Sequence, residues 1–88
     1  MSKIVVDQVF LDEKYTKFVL RREYNCNLVP IAEMEIYDKA WEKPKKIKKV
    51  VIDPSKDEYI IFVNDEFVTS KTVKKTLETY INLGWKEL

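Results

Sequence analysis

The sequence has no histidine, one cysteine, one glycine and no run near eighteen apolar residues. Each shortage removes a class of chemistry. Without an imidazole there is no Ser-His-Asp or Cys-His nucleophile, and the usual imidazole-ligated zinc sites are absent. One thiol cannot build a four-thiolate zinc or iron–sulfur centre. Cys26, between Asn25 and Asn27, has no partner for an internal disulfide and no activating base, and reads as a spectator thiol. The lone Gly84 excludes phosphate loops, dinucleotide fingerprints and KH-type clamps, whose backbones approach their ligands through several glycines. No signal-peptide pattern or membrane span is visible, so a cytoplasmic protein of a reducing compartment is expected, with no membrane partner.

What is present belongs to one domain, residues 1–88. With 45% apolar and 35% charged residues, the composition is globular and not that of a disordered chain. Sixteen basic residues face fifteen acidic ones, which excludes both a uniformly basic histone-like protein and an acidic mimic of DNA. A domain this short buries only about 60–65% of its unfolded surface. Lacking a disulfide or evident metal, it must pack well or borrow surface from a partner or a second copy.

Valine and isoleucine total 18 against 8 for alanine and leucine, and β-branched side chains suit pleated surfaces. Residues 3–11 read as a strand, 12–14 as a turn and 15–24 as the returning strand of a hairpin. A helix competes there, because Leu11, Tyr15, Phe18 and Val19 also recur at helical spacing. Residues 25–30 read as a loop. Residues 31–37 alternate, with Ala32, Met34 and Ile36 inward and Glu33, Glu35 and Tyr37 outward, which predicts a half-exposed strand. A connection over 38–46 leads to a strand at 47–52. Residues 53–57 carry a strong turn signal, and 59–63 form the most hydrophobic strand. Asn64-Asp65 predicts a tight hairpin into a short strand at 66–68. The helix is the clearest element: Thr69 or Ser70 as N-cap, an apolar stripe of Val73, Leu77, Tyr80 and Ile81, Gly84 just past its end and Trp85 folding back.

The expected fold is therefore α+β, an antiparallel sheet of about five or six strands with one C-terminal helix packed across it. Tyr59 to Val63 and Val50 to Ile52 are apolar on both faces, and one helix covers only one. The second face is expected to close by curling into a barrel, by the long loop or by another chain, and a homodimer is one form of the last.

Charge is segregated. Between Lys39 and Lys49 six lysines face one acid, Glu42, whereas 51–70 hold five acids and one lysine. The first stretch reads as a solvated loop or as an anion-binding patch in which Lys43, Lys45, Lys46, Lys48 and Lys49 surround Trp41 as a stacking platform. Lys71, Lys74 and Lys75 stand at the helix start, where the macrodipole disfavours cations. On the same side as Lys45 to Lys49 they would make a combined patch of seven cations. Lysine is a point charge, so such a patch would grip backbone phosphates without reading bases. Glu33, Glu35 and Asp38, and Asp53, Asp57 and Glu58, match no metal loop and pair no general acid with a base. No enzyme and no cofactor are expected. Tyr37, on the polar strand face, is the aromatic best placed for an interface.

Together these features describe a small non-catalytic binding module acting through a protein–protein interface, of the habit of an inhibitor or accessory factor of phage or mobile-element type. The expected partner is a larger protein with an acidic surface, reached through Tyr37, Trp41 and the lysines. The alternative is a nucleic-acid backbone bound by the lysine patch.

Overall fold

Two hairpins build the sheet. In the computed structural model, which describes residues 2–88, β1 (Lys3–Leu11) and β2 (Lys17–Asn25) pair antiparallel without interruption from Lys3 opposite Asn25 to Leu11 opposite Lys17. Asp12 closes their turn, its carboxylate accepting the amides of Lys14 at 2.9 Å and Thr16 at 2.8 Å. The helical alternative for 15–24 fails because Phe18 and Val19 fall on opposite faces of β2. After a long connection come β3 (Glu35–Ile36) and β4 (Lys45–Lys46), paired only with each other. β5 (Lys49–Asp53) and β6 (Glu58–Phe62) form the second hairpin, over a turn in which Asp53 accepts Ser55 Oγ at 2.6 Å.

The hairpins meet along β1 and β6, and these strands run parallel. The order is β5-β6-β1-β2-β8, where β8 is Lys86–Glu87, and β7 (Glu66–Phe67) also pairs with β1. The result is a six-stranded mixed sheet, mostly antiparallel, with one C-terminal helix, α1 (Val73–Asn82), and it is an α+β fold.

Two local expectations need correction. Asn64-Asp65 does not reverse the chain, because β7 continues in the direction of β6 along β1. Between Phe62, opposite Asp7, and Glu66, opposite Phe10, the outer path has one residue more than β1, as in a bulge. The buried Gln8 spans the break, donating to the carbonyls of Val9 at 3.0 Å and Asn64 at 2.9 Å. Nor do residues 31–37 form a strand. Glu33 takes a left-handed conformation (φ 78°), and Met34 N–H turns back to the Ile31 carbonyl, so extended structure survives only at Glu35–Ile36. Ala32 and Met34, expected inward, are exposed.

One sheet face carries the core. Ile4, Val6 and Phe10 of β1, Leu20 of β2 and Ile61 of β6 pack with Trp41, Ile47, Tyr80 and Trp85. The long connection and α1 both lie on this side. Phe10 meets Tyr80 edge-on at 4.9 Å, and Trp41 and Trp85 stand 5.9 Å apart. The helix N-cap is Thr72, not Thr69 or Ser70, and residues 69–72 lead into α1 through a turn in which Thr69 and Thr72 hydrogen bond reciprocally, each amide to the other's hydroxyl at 3.2 Å. The helix ends as a Schellman motif: Gly84 N–H reaches the Ile81 carbonyl, Trp85 N–H reaches that of Tyr80, and the rings of Tyr80 and Trp85 pack at 5.4 Å. Gly84 is required twice there. Its φ is +107°, and a Cβ would lie 2.0 Å from an Arg22 guanidinium nitrogen.

The opposite face holds Val5, Val9, Val19, Val51, Ile60 and Phe62 around an Asp7–Arg21 pair with two hydrogen bonds, at 2.7 and 3.0 Å. None of these residues joins the core cluster. No barrel forms and the long loop lies elsewhere, so this face is uncovered among the described residues.

Candidate functional site

Among the described residues ten large hydrophobic side chains are exposed, and five of them, Leu28, Val29, Ile31, Met34 and Tyr37, lie within residues 28–37. They form a patch, not scattered surface residues. The chain produces it because Pro30 and the turns at 31–34 leave no extended partner for these side chains, while Ile36 and Ile47 anchor the segment to the core. Two open apolar grooves flank Leu28, which is 74% exposed. The larger, about 310 Å³, runs past Tyr24 and Cys26 to Tyr37. The smaller, about 120 Å³, lies beside Val29, Met34 and Ile47. Ile4 and Ile36 line both. The sheet extends this surface sideways: Tyr24, Ile4, Tyr59 and Ile52 form one row across four strands, and Ile52 is exposed at its end. Lys46 and Lys48 border the patch on either side of Ile47, with Lys46 paired to Glu33 at 3.4 Å.

The ten residues expected at a site do not assemble as one. Tyr37 is on the patch, 56% exposed. Trp41 is not a surface stacking platform but a core residue, 5% exposed, whose indole N–H is buried without a hydrogen-bond partner. Lys45 does stand over its ring, 5.0 Å from the centroid, but half-buried, where it is held by Gln8 at 2.7 Å and Glu66 at 2.6 Å. A lysine among lysines was expected to face water, whereas this one has two oxygen acceptors and an aromatic face. Lys43, Lys46, Lys48 and Lys49 are exposed, yet Lys49 lies on the edge strand β5 with its ammonium 6.0 Å from the Phe62 ring centroid, on the uncovered face. Lys71, Lys74 and Lys75 belong to the helix start, and α1 packs near the other edge, against β8. The seven-cation patch is therefore not formed.

Two polar networks, one around the buried Asp38 and one around the half-buried Glu66, hold the connection and the helix against the sheet. Asp38 accepts from Tyr24 Oη, Trp85 Nε1 at 3.0 Å and Ala40 N–H at 2.9 Å, with Arg22 Nε 3.6 Å away. Burial pushes this carboxyl up, but those hydrogen bonds and the Arg22 charge outweigh it and hold it below its ordinary value. Burial and the same carboxylate raise the Tyr24 hydroxyl well above its ordinary range. Arg22 also donates to the Leu83 carbonyl at the helix end. In the second network Glu66 accepts from Lys45 and from Tyr80 Oη at 2.7 Å, and burial followed by this bond raises the Tyr80 hydroxyl likewise. These groups are fully engaged with one another, as structural networks are.

Among the described residues no group of three or more candidate ligands lies together as a metal site, and no helix is long and apolar enough to cross a membrane. The apolar patch was missed in the sequence because alternation at 31–37 imitated a strand. The available signal was Leu28-Val29-Pro30-Ile31, four apolar residues in a segment that proline keeps out of a sheet. No family model matches the chain, and no curated protein or solved structure is significantly similar to it.

Proposed function

We propose that this protein is a small non-catalytic binding module that docks on a larger protein through the apolar patch of residues 28–37, acting as an inhibitor or accessory factor by occupying a site there. The observation that carries the reading is the concentration of exposed apolar side chains around two grooves at one end of the sheet. Surface area supports it. The chain exposes 6162 Å², against about 5,400 Å² for a compact monomer of its mass. The excess is of the order of one partner's share of a standard interface, about 800 Å². Leu28 and Met34 would enter an apolar recess as anchors, with Tyr37 at the rim. Lys46 and Lys48 fit a partner whose recess is edged by carboxylates, and such charges speed encounter more than they add affinity.

The test compares capture from lysate of the source cells by the wild-type protein, by Leu28→Asp/Met34→Asp, and by a Lys43, Lys46, Lys48 and Lys49 to Gln variant. One protein should be retained by the wild type, lost with the first variant and retained more weakly with the second. Equal capture by wild type and the Leu28→Asp/Met34→Asp variant, with both folded, would overturn it.

A further inference from the structure

At the far end of β1 the chain assembles a different surface, independent of the apolar patch. Ile4 lies at the patch, and Leu11 is seven residues further along, about 23 Å in an extended strand, in a molecule 40 Å long. There the tip of the first hairpin is tied to the helix start. Glu13 accepts the amide of Ser70 at 2.9 Å and its hydroxyl at 2.5 Å. This contact gathers Lys14 and Lys17 of the hairpin with Lys71, Lys74 and Lys75 of the helix, and all five are exposed. Lys17 and Leu77 line one groove between the two elements. Among the described residues none of these ammonium groups is in an ion pair. The acids here are mostly engaged: Asp12 by its turn amides, Glu13 by Ser70 and Glu66 by Lys45 and Tyr80. Asp65, Glu78 and Glu87 remain exposed.

The two most exposed large hydrophobic side chains of the described residues are also here. Tyr15 is 78% exposed, and Phe67, beside Leu11, is 76% exposed. Tyr15 holds a left-handed conformation (φ 59°) at a turn position that suits glycine or asparagine. The fold gains no packing from a ring placed there at such backbone cost.

We propose that this end of the molecule binds single-stranded nucleic acid, with Tyr15 and Phe67 stacking bases and Lys14, Lys17, Lys71, Lys74 and Lys75 holding phosphates. Flat aromatic faces beside unpaired ammonium groups meet the two needs of an unpaired strand, and neither group reads sequence. A duplex offers no free base to stack, so the single strand is preferred.

The experiment is fluorescence anisotropy with a labelled oligothymidylate of about 16 nucleotides, within the span of known single-strand sites, between about 50 and 200 mM salt. Saturable binding is expected, at least about fivefold tighter than to the matching duplex. Replacing Lys71, Lys74 and Lys75 by Gln should flatten the slope of log K against log salt by about 2, at 0.7 per phosphate contact. Tyr15→Asn removes the ring while suiting the left-handed turn. It should weaken binding at least about fivefold, leave the salt slope unchanged and lower neither Tm nor cooperativity of unfolding. No saturable binding at the lowest salt would overturn the proposal. So would unaltered affinity in Tyr15→Asn, a loss caused equally by replacing Lys43, Lys46, Lys48 and Lys49, or tighter binding to phosphatidylserine vesicles than to the oligonucleotide.

Discussion

Replacing Asp38 by alanine should be among the most damaging single changes in this protein. Its side chain is 2% exposed and serves four partners from three segments: Tyr24 of β2, Arg22 of β2, the amide of Ala40 and the indole of Trp85. Trp85 is fully buried, so its N–H would be left without an acceptor at a cost of about 1–3 kcal/mol. Arg22 keeps the Leu83 carbonyl and partial solvent contact, which limits its share. Removing one partner of a buried, hydrogen-bonded charge pair typically costs about 3–5 kcal/mol, a large part of the about 5–15 kcal/mol that holds a domain folded. At about 4–8 °C per kcal/mol for a chain of this size, Tm should fall by at least about 12 °C. Asp38→Asn keeps the Oδ1 acceptor of Trp85 and Ala40 but replaces the Oδ2 acceptor of Tyr24 and Arg22 with an amide NH2, so it should cost less than the alanine change, about 1–3 kcal/mol. Urea and thermal unfolding followed by far-UV circular dichroism give both values. An Asp38→Ala loss below about 1 kcal/mol, a typical surface-to-average mutational effect, would refute the assignment of Asp38 as the hub that ties the connection and helix to the sheet.

Three further outcomes follow from the same contacts. Gly84→Ala should destabilise by about 1–3 kcal/mol, because it forces an alanine to positive φ and displaces the Arg22 guanidinium, and denaturant midpoints check this. Stability should be level through neutral pH, where no histidine titrates. The lowered carboxyl of Asp38 contributes stability that is present above the unfolded value near about 4 and lost as pH falls below it. The raised hydroxyls of Tyr24 and Tyr80 contribute stability present below about pH 10 and lost as pH rises past it, so a pH series of unfolding midpoints should show both flanks. Leu28→Ser and Met34→Ser should each change stability by no more than about 0.5 kcal/mol, since exposed side chains leave little to lose; a loss near the 2–5 kcal/mol of a core truncation would make the patch structural.

The parts of the fold visible in the sequence are those set by neighbours along the chain. Both main hairpins follow from alternation broken by Asp12 and by residues 53–57, and the helix follows from its stripe and from Gly84. The parallel meeting of β1 and β6 was not visible, because hairpin signals pair only adjacent strands and the long connection frees the second hairpin to dock in either direction. The lysine-rich neighbours of Trp41 imply solvent, whereas the ring packs into the core against Trp85, distant in sequence, and Lys45 beside it is held by Gln8 and Glu66, 37 and 21 residues away. Tyr37 emerged correctly as an exposed aromatic, although the strand that suggested it shrinks to Glu35–Ile36. The patch around it stayed hidden, because apolar residues in a loop carry no periodicity. Tyr15 and Phe67 were likewise hidden, because the pairing of Phe67 with Leu11 and the hydrogen bonds of Glu13 to Ser70 join segments more than fifty residues apart in sequence.

The central claim, that residues 28–37 meet a protein partner, is tested most directly by placing a photo-crosslinking amino acid at position 28 and, separately, at position 81. Ile81 is also exposed but lies on the helix, away from the patch. Irradiated in the source cells, the protein labelled at position 28 should give one discrete adduct that is absent when the label is at position 81. No adduct from position 28, or the same adduct from both positions, would contradict the account.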